Sequence, residues 1–436
     1  MRNLSKRHYC YLIAALLVLV VGIIIVARLL LKDSSAATNE VNLSSADNVA
    51  VASPSASDPS AADISSSTGI RIVSIEKDPF PADATNSNEP NSEAPTGTDP
   101  SATSTASAAA PIDNENSPFK DRKPNEVGTV MIHLLHRFIS EYEGGDKSVT
   151  MTLDSFRAFL QKLYDRGYRP VSMDDYLSNN ISLPVGCMPT ILTFDDGWGS
   201  QFQFIEENGK LVVDPNTAVG VWMKFNEEHP DFELRGVFYL NLGRQTTFGD
   251  KGTLTERLQY LIDLGFELGN HTYTHENLRE LSAEEVLLQV GKNEAALREA
   301  LPNYHFRTLA LPFGNYRPDI LPILAEGEYE GVSYKNEAVF LAGADPTHTP
   351  ANANFNIAKP LARILAPGIE DVFMDSTWWL ENQSMEKQYI SDGNPNTLTV
   401  PPAKLEQLDP AARERWEVIV GDDGSTPAES AEASGE

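Results

Sequence analysis

Cysteine is nearly absent: Cys10 and Cys187 are the two in 436 residues. One lies in an apolar N-terminal run and the other just ahead of an apolar strand. No disulfide framework is expected, and the fold must stand without one. Positive charge is also in short supply. Against 62 aspartates and glutamates stand 34 lysines and arginines, a formal net charge of −28. That balance argues against nucleic acid as a partner and against a basic membrane-surface patch. No internal repeat is visible. Aromatics and large aliphatics are scarce from residue 33 to 126, where Ser, Ala, Thr, Asn, Asp and Pro dominate. No core can form there to offset chain entropy, so a disordered, flexible linker is expected. The small and acidic residues 421–436 are expected to form a disordered tail.

What is present begins with an apolar run, Tyr9–Val26, preceded by Arg2, Lys6 and Arg7. It exceeds the ~7–15 residues of a cleaved signal core and approaches the ~20 that span a bilayer. Residues 1–32 therefore read as basic cytoplasmic residues and a transmembrane anchor, with a cleaved signal peptide as the alternative. On the first reading the protein is single-pass in the cell membrane with its domain extracellular; on the second it is secreted.

Residues 127–420 alternate short apolar strands with amphipathic helices. "MPTILTF" and "RGVFYLNL" read as buried strands. "TLDSFRAFLQKLYDRG" reads as a helix capped by Thr152 and stopped by Gly167, and "SAEEVLLQVGKNEAALREAL" as one opened by a capping box of Ser282 and Glu285. "GVSYK" and "AVFLAG" read as later strands. Such alternation implies an α/β fold with a parallel sheet, closed or nearly closed into a barrel, whose chemistry sits at the C-terminal ends of the strands.

Two stretches at such ends carry chemistry. "ILTFDDGW" closes an apolar strand with adjacent carboxylates, Asp195 and Asp196. Like charges so placed repel unless compensated. "LGNHTYTH" supplies His271 and His275 after the strand "FELGNH". On a helical turn that spacing sets both imidazoles on one side. Two imidazoles and one carboxylate make a divalent-metal site with open positions, and the cation removes the carboxylate repulsion while the second aspartate serves as a base. A third stretch, "ALPFGNY", forms a tight turn able to aim the Phe313 amide at a developing oxyanion.

"TFDDG", "HTYTH" and "LPFG", in this order, resemble the first three motifs of the polysaccharide deacetylases, the carbohydrate esterase family 4 enzymes with a NodB homology domain. The resemblance spans about Thr129–Leu341. It implies a distorted (β/α) barrel of about seven strands. It also implies Asp195 as general base, Asp196, His271 and His275 as ligands of a divalent ion (zinc, with cobalt, manganese or nickel as alternatives), and a share of the oxyanion for Phe313. The implied reaction removes acetyl groups from an N-acetylated cell-envelope glycan such as peptidoglycan, releasing acetate. The implied partners are that polymer and, through the N-terminal helix, the membrane; a monomer is expected.

The sequence departs from the family pattern twice. The motif arginine that steadies the base has become Ala310, with Arg307 or Arg317 as substitutes. The late leucine-x-histidine motif is absent, which leaves His348, the one histidine after Gly314, as the candidate general acid. His133 and His136 read as core or rim residues, and Trp198 and Trp222 as sugar-stacking or buried. These departures motivate an alternative, a non-catalytic glycan-binding protein with a structural metal. Glycoside hydrolysis fits poorly, because adjacent carboxylates on one strand cannot flank a sugar bond.

Overall fold

Strand β3, Met188–Asp196, is buried along its whole length, and the sheet grows outward from it. The computed structural model describes residues 113–142, 144–244 and 246–421. The chain divides into two units, Met1–Thr98 and Asp99–Glu436, and all described residues belong to the second. The expected anchor at 1–32, most of the expected linker and the tail beyond Gly421 lie outside the described residues. Among the described residues no helix is long and apolar enough to cross a membrane.

The nine-stranded sheet comprises β1 (Thr129–Leu135), β2 (Tyr168–Pro170), β3, β4 (Gly236–Leu240), β5 (Glu267–Asn270), β6 (Thr308–Ala310), β7 (Ala338–Phe340), β8 (Thr347–His348) and β9 (Ile364–Leu365). Its order is β7-β6-β5-β4-β3-β1-β8, with β9 also on β1 and β2 on β3. All pairings are parallel except β1 with β8. The edges approach each other through one segment: Leu361 bridges to Phe340 at the end of β7, and three residues on, β9 pairs with β1. The result is the expected distorted barrel of parallel strands.

Helices form where the capping chemistry lies. Helix α1, Leu153–Asp165, starts where the Thr152 hydroxyl accepts the Ser155 amide, and buries Phe156, Phe159, Leu160 and Leu163 on one face. Helix α2, Ala218–Glu228, is capped by Thr217. Helix α3, Leu254–Leu264, has a full capping box from Thr253 and Glu256 and ends at Gly265, φ 104°. Helix α4, Ala283–Ala300, has the Ser282–Glu285 box. Helix α5, Ser376–Asn382, is capped by Asp375. The core is aromatic: Phe194 of β3 stacks on Phe238 of β4 at 4.7 Å, and the fully buried Trp222 of α2 sits 6.2 Å from Phe194.

Two expectations need correction. The ordered fold begins ahead of Val127. Ser117, Asn125 and Glu126 are buried, and the Glu126 carboxylate accepts hydrogen bonds from the Tyr389 hydroxyl and the Thr399 amide; polar composition hid this segment because it docks largely through hydrogen bonds, with Phe119 as its one apolar contact with the core clusters. "GVSYK" is no barrel strand. Val332–Lys335 pairs with Glu326–Tyr329 in a separate antiparallel hairpin, as its alternately exposed residues allow. Of the two readings of Trp222, burial holds: it is packed in the core.

Candidate active and metal site

Register brings the motifs together. Leu240 of β4 is the partner of Asp196 on one side and of Asn270 on the other. The last carboxylate of β3 and the first imidazole after β5 therefore face each other across a single strand end. The chain turns hard there: Asp196 (φ 81°), Thr272 (φ 68°), His275 (φ 62°) and Phe313 (φ 59°) all adopt the left-handed conformation without being glycine. Such strain persists only where surroundings over-determine it, and it clusters at functional sites. Residues 271–275 are thus a tight loop, not the helical turn that the His-x-x-x-His spacing suggested. Two left-handed residues, rather than a helix face, converge the imidazoles.

A buried amide network fixes that loop. The Asn241 side chain donates to the carbonyls of His271 and Thr272. Asn293 of α4 accepts from the Leu242 amide and donates to the Leu240 carbonyl and to the Asn270 side chain. Gln289 of α4 accepts the Thr274 amide.

One ligand atom from each of Asp196, His271 and His275 lies within 4.8 Å of the other two. His275 Nε2 stands 3.4 Å and His271 Nε2 3.8 Å from Asp196 Oδ1. Ligand atoms about 2.1 Å from a tetrahedral ion stand about 3.4 Å apart, so the set is close to coordinating dimensions. The His271 ring gives a second test of fit. Its Nδ1 lies 2.8 Å from the Ala310 carbonyl, which can only accept, so Nδ1 carries the proton. In the neutral ring Nε2 then presents a lone pair, and it is buried without a hydrogen-bond partner. A carbonyl-oriented imidazole with a lone pair aimed at a second imidazole and a carboxylate is the arrangement of a metal ligand. Burial, then the neighbouring His271, pushes His275 down to about 4, so this ring is neutral and ligand-competent at neutral pH. These residues fit a divalent ion.

Asp195 is held differently. Arg363, fully buried just before β9, donates to both of its carboxylate oxygens, at 2.7 and 2.8 Å, and also to Thr193 Oγ1. Burial alone would raise the Asp195 carboxyl, but Arg363, then His271 and His136, outweigh it and hold the group well below the usual carboxylate range. His136, one residue past β1, points Nε2 at Asp195 Oδ2 from 3.8 Å. Burial lowers it, against the pull of the two aspartates. Gln201 ties the ends of β1 and β3 together, donating to the carbonyls of His136 and Asp195.

The structure gathers Asp195, Asp196, His271, His275 and Phe313, whose exposed ring packs 4.7 Å from that of His275. It excludes His348. That residue pairs with Thr129 at the start of β1, whereas the site lies beyond its end, about 20 Å away at ~3.3 Å per residue. The substitutes suggested for the motif arginine fail as well: Arg307 pairs with Asp174 and Glu337, and Arg317 with Asp319. Arg363 and His136 occupy the places by the base. A signal for His136 was present, since it follows directly on a strand whose neighbour ends in the Asp195–Asp196 pair. Arg363 had none, because its position depends on closing the barrel.

Fold and site together define a class: a parallel α/β barrel with an arginine-paired carboxylate beside a His-His-Asp triad at its C-terminal rim, a hydrolytic constellation. Residues 228–332, which include His271, His275 and Phe313, match the polysaccharide deacetylase family profile. No curated protein matches the sequence. Among solved structures it is similar to the Streptococcus pyogenes deacetylase PplD in complex with acetate, at 20% identity over 59% of this chain and 98% of that one, TM-score 0.43. It is similar to a polysaccharide deacetylase from Bacillus cereus at 16% identity, over 58% and 68% of the two chains, TM-score 0.42. It is also similar to IcaB from Ammonifex degensii at 19% identity, over 56% and 94%, TM-score 0.37.

Proposed function

We propose that this protein is a metal-dependent deacetylase of an N-acetylated cell-envelope glycan, peptidoglycan or another N-acetylhexosamine polymer, releasing acetate. The observation that carries the reading is the buried, unpartnered Nε2 of His271 facing His275 and Asp196. Asp196, His271 and His275 would hold the ion, zinc or another divalent transition metal. Such an ion, when bound, supplies Lewis acidity to an acetyl carbonyl and acidifies water.

The remaining steps fall to the chain's own residues. Asp195 stays ionised at neutral pH through its pair with Arg363 and accepts the proton of the attacking water. The Phe313 amide, at the rim beside His275, donates to the developing oxyanion. His136, 3.8 Å from Asp195, relays the proton that Asp195 takes from the water to the departing amine, and its lowered basicity favours giving that proton up. The binding-only alternative rested on a missing arginine and a missing acid, and the positions of Arg363 and His136 remove that motive. An N-terminal membrane anchor followed by a long polar linker suits an immobile polymeric substrate outside the cell.

The test is acetate release from purified peptidoglycan and from N-acetylglucosamine oligomers, with metal content measured on the same samples. Asp195→Asn is expected to lower turnover by at least about a thousandfold while metal content stays unchanged. Equal acetate release by wild type and this variant, or none by the wild type on any acetylated glycan, overturns the reading.

A further inference from the structure

Trp198 and Arg244, which lie outside "TFDDG", "HTYTH" and "LPFG", both grip the Asp196 carboxylate. Trp198, half-buried in the turn after β3, donates its indole N–H to Oδ2 at 2.9 Å. Arg244, from the loop after β4, reaches Oδ1 at 3.3 Å with its side chain 40% exposed. The backbone explains how a residue two places along can turn back on Asp196: Asp196 and Gly197 are consecutive left-handed residues, φ 81° and 75°. The two grips differ in what they do to the oxygen facing the imidazoles. Trp198 occupies Oδ2 and so turns Oδ1 toward His275 and His271. Arg244 places a positive charge on Oδ1 itself.

We infer that Trp198 and Arg244 are positioning residues that set metal affinity in opposite directions. Trp198 orients the ligand carboxylate and strengthens binding. Arg244 competes for the ligand oxygen, weakens binding and keeps the ion exchangeable. The inference rests on the metal reading of Asp196, His271 and His275. Outer partners of metal ligands change affinity by about 10–100-fold when removed, so Trp198→Phe is expected to weaken binding by about tenfold or more. Arg244→Ala is expected to tighten it by about two- to fivefold, the range of a half-exposed ion pair. Arg244→Lys, which keeps a point charge, is expected to stay near wild type.

The experiment is calorimetric titration of zinc into the purified, chelator-stripped full chain, repeated with cobalt(II) followed by its visible absorption. His275→Ala serves as the control that abolishes the site, and thermal melts check folding. Weaker binding by Trp198→Phe together with tighter binding by Arg244→Ala supports the inference. If Trp198→Phe does not fold, the sign of the Arg244→Ala shift decides alone. Wild-type binding that His275→Ala abolishes, but that Arg244→Ala leaves unchanged or weakens, overturns the inference and leaves the metal reading standing. No zinc or cobalt binding by the wild type overturns both.

Discussion

At the scale of single residues, the catalytic proposal turns on a buried ion pair. Asp195 and Arg363 are both withdrawn from water, 168 positions apart in the chain. A buried charge that loses its partner is costlier than a pair replaced whole. Arg363→Met is therefore expected to destabilise the fold by about 3–5 kcal/mol, read as a lower midpoint in urea. Adding Asp195→Asn to that variant is expected to restore much of the loss, because it removes the stranded charge. If the single and double variants unfold at the same midpoint, Arg363 serves packing rather than the carboxylate. The pair also marks the limit of reading residues from sequence. Asp195, Asp196, His271 and His275 lie in short contiguous motifs whose spacing already constrains geometry. Arg363 meets Asp195 only because β9 comes back beside β1, and no local pattern encodes that return. His348 was chosen because it follows the third motif in sequence; its antiparallel pairing with the start of β1 puts it at the wrong end of the barrel.

At the scale of elements, α4 is the support of the imidazole loop. Its sequence signals were plain, a capping box at one end and an amphipathic run behind it, and the helix forms where they predict. Its functional burden was not plain. Asn293 and Gln289 face inward from a helix whose inward face should be apolar, and they do so to satisfy the backbone of a loop twisted through left-handed residues. Ser282→Ala removes the cap and is expected to cost about 1 kcal/mol of stability with metal affinity unchanged. Asn293→Ala strands the Leu242 amide and removes the donor that braces the Leu240 carbonyl and the Asn270 side chain, which itself accepts the Thr272 amide. It is expected to cost about 1–3 kcal/mol and also to weaken zinc binding, since His271 and Thr272 lose their fixed frame. Urea unfolding and zinc titration on the same two variants separate the effects. Equal zinc affinity in both would mean that the network stabilises the barrel without shaping the site. The hairpin Glu326–Lys335 shows the opposite failure, in which a strand-like run was legible but its partner was not, because pairing is decided by what lies beside it in space.

At the scale of the whole molecule, closure of the barrel buries a histidine that the site does not use. His133 on β1 is fully buried, with Phe159 of α1 edge-on at 5.2 Å and Ser376 of α5 at 2.6 Å from Nδ1. The Ser376 hydroxyl donates to the Leu365 carbonyl of β9, so His133 Nδ1 supplies the proton of its own contact. Nε2 is left buried without a partner, and an imidazolium there would carry a second N–H with nowhere to point. Burial accordingly pushes His133 down to about 3. The sign follows from linkage: the unfolded chain takes up a proton near pH 6.5 and the folded one does not until about pH 3. The stability contributed by the neutral ring is complete above pH 6.5 and is lost as pH falls toward 3. His133→Leu lacks this loss. The stability of the wild type minus that of His133→Leu is therefore expected to shrink between pH 6.5 and 4, by up to about 1.4 kcal/mol per pH unit, in urea titrations at fixed ionic strength. Parallel pH profiles for the two proteins would mean that His133 titrates as freely in the fold as out of it, and that the seam between β1, β9 and α5 admits water.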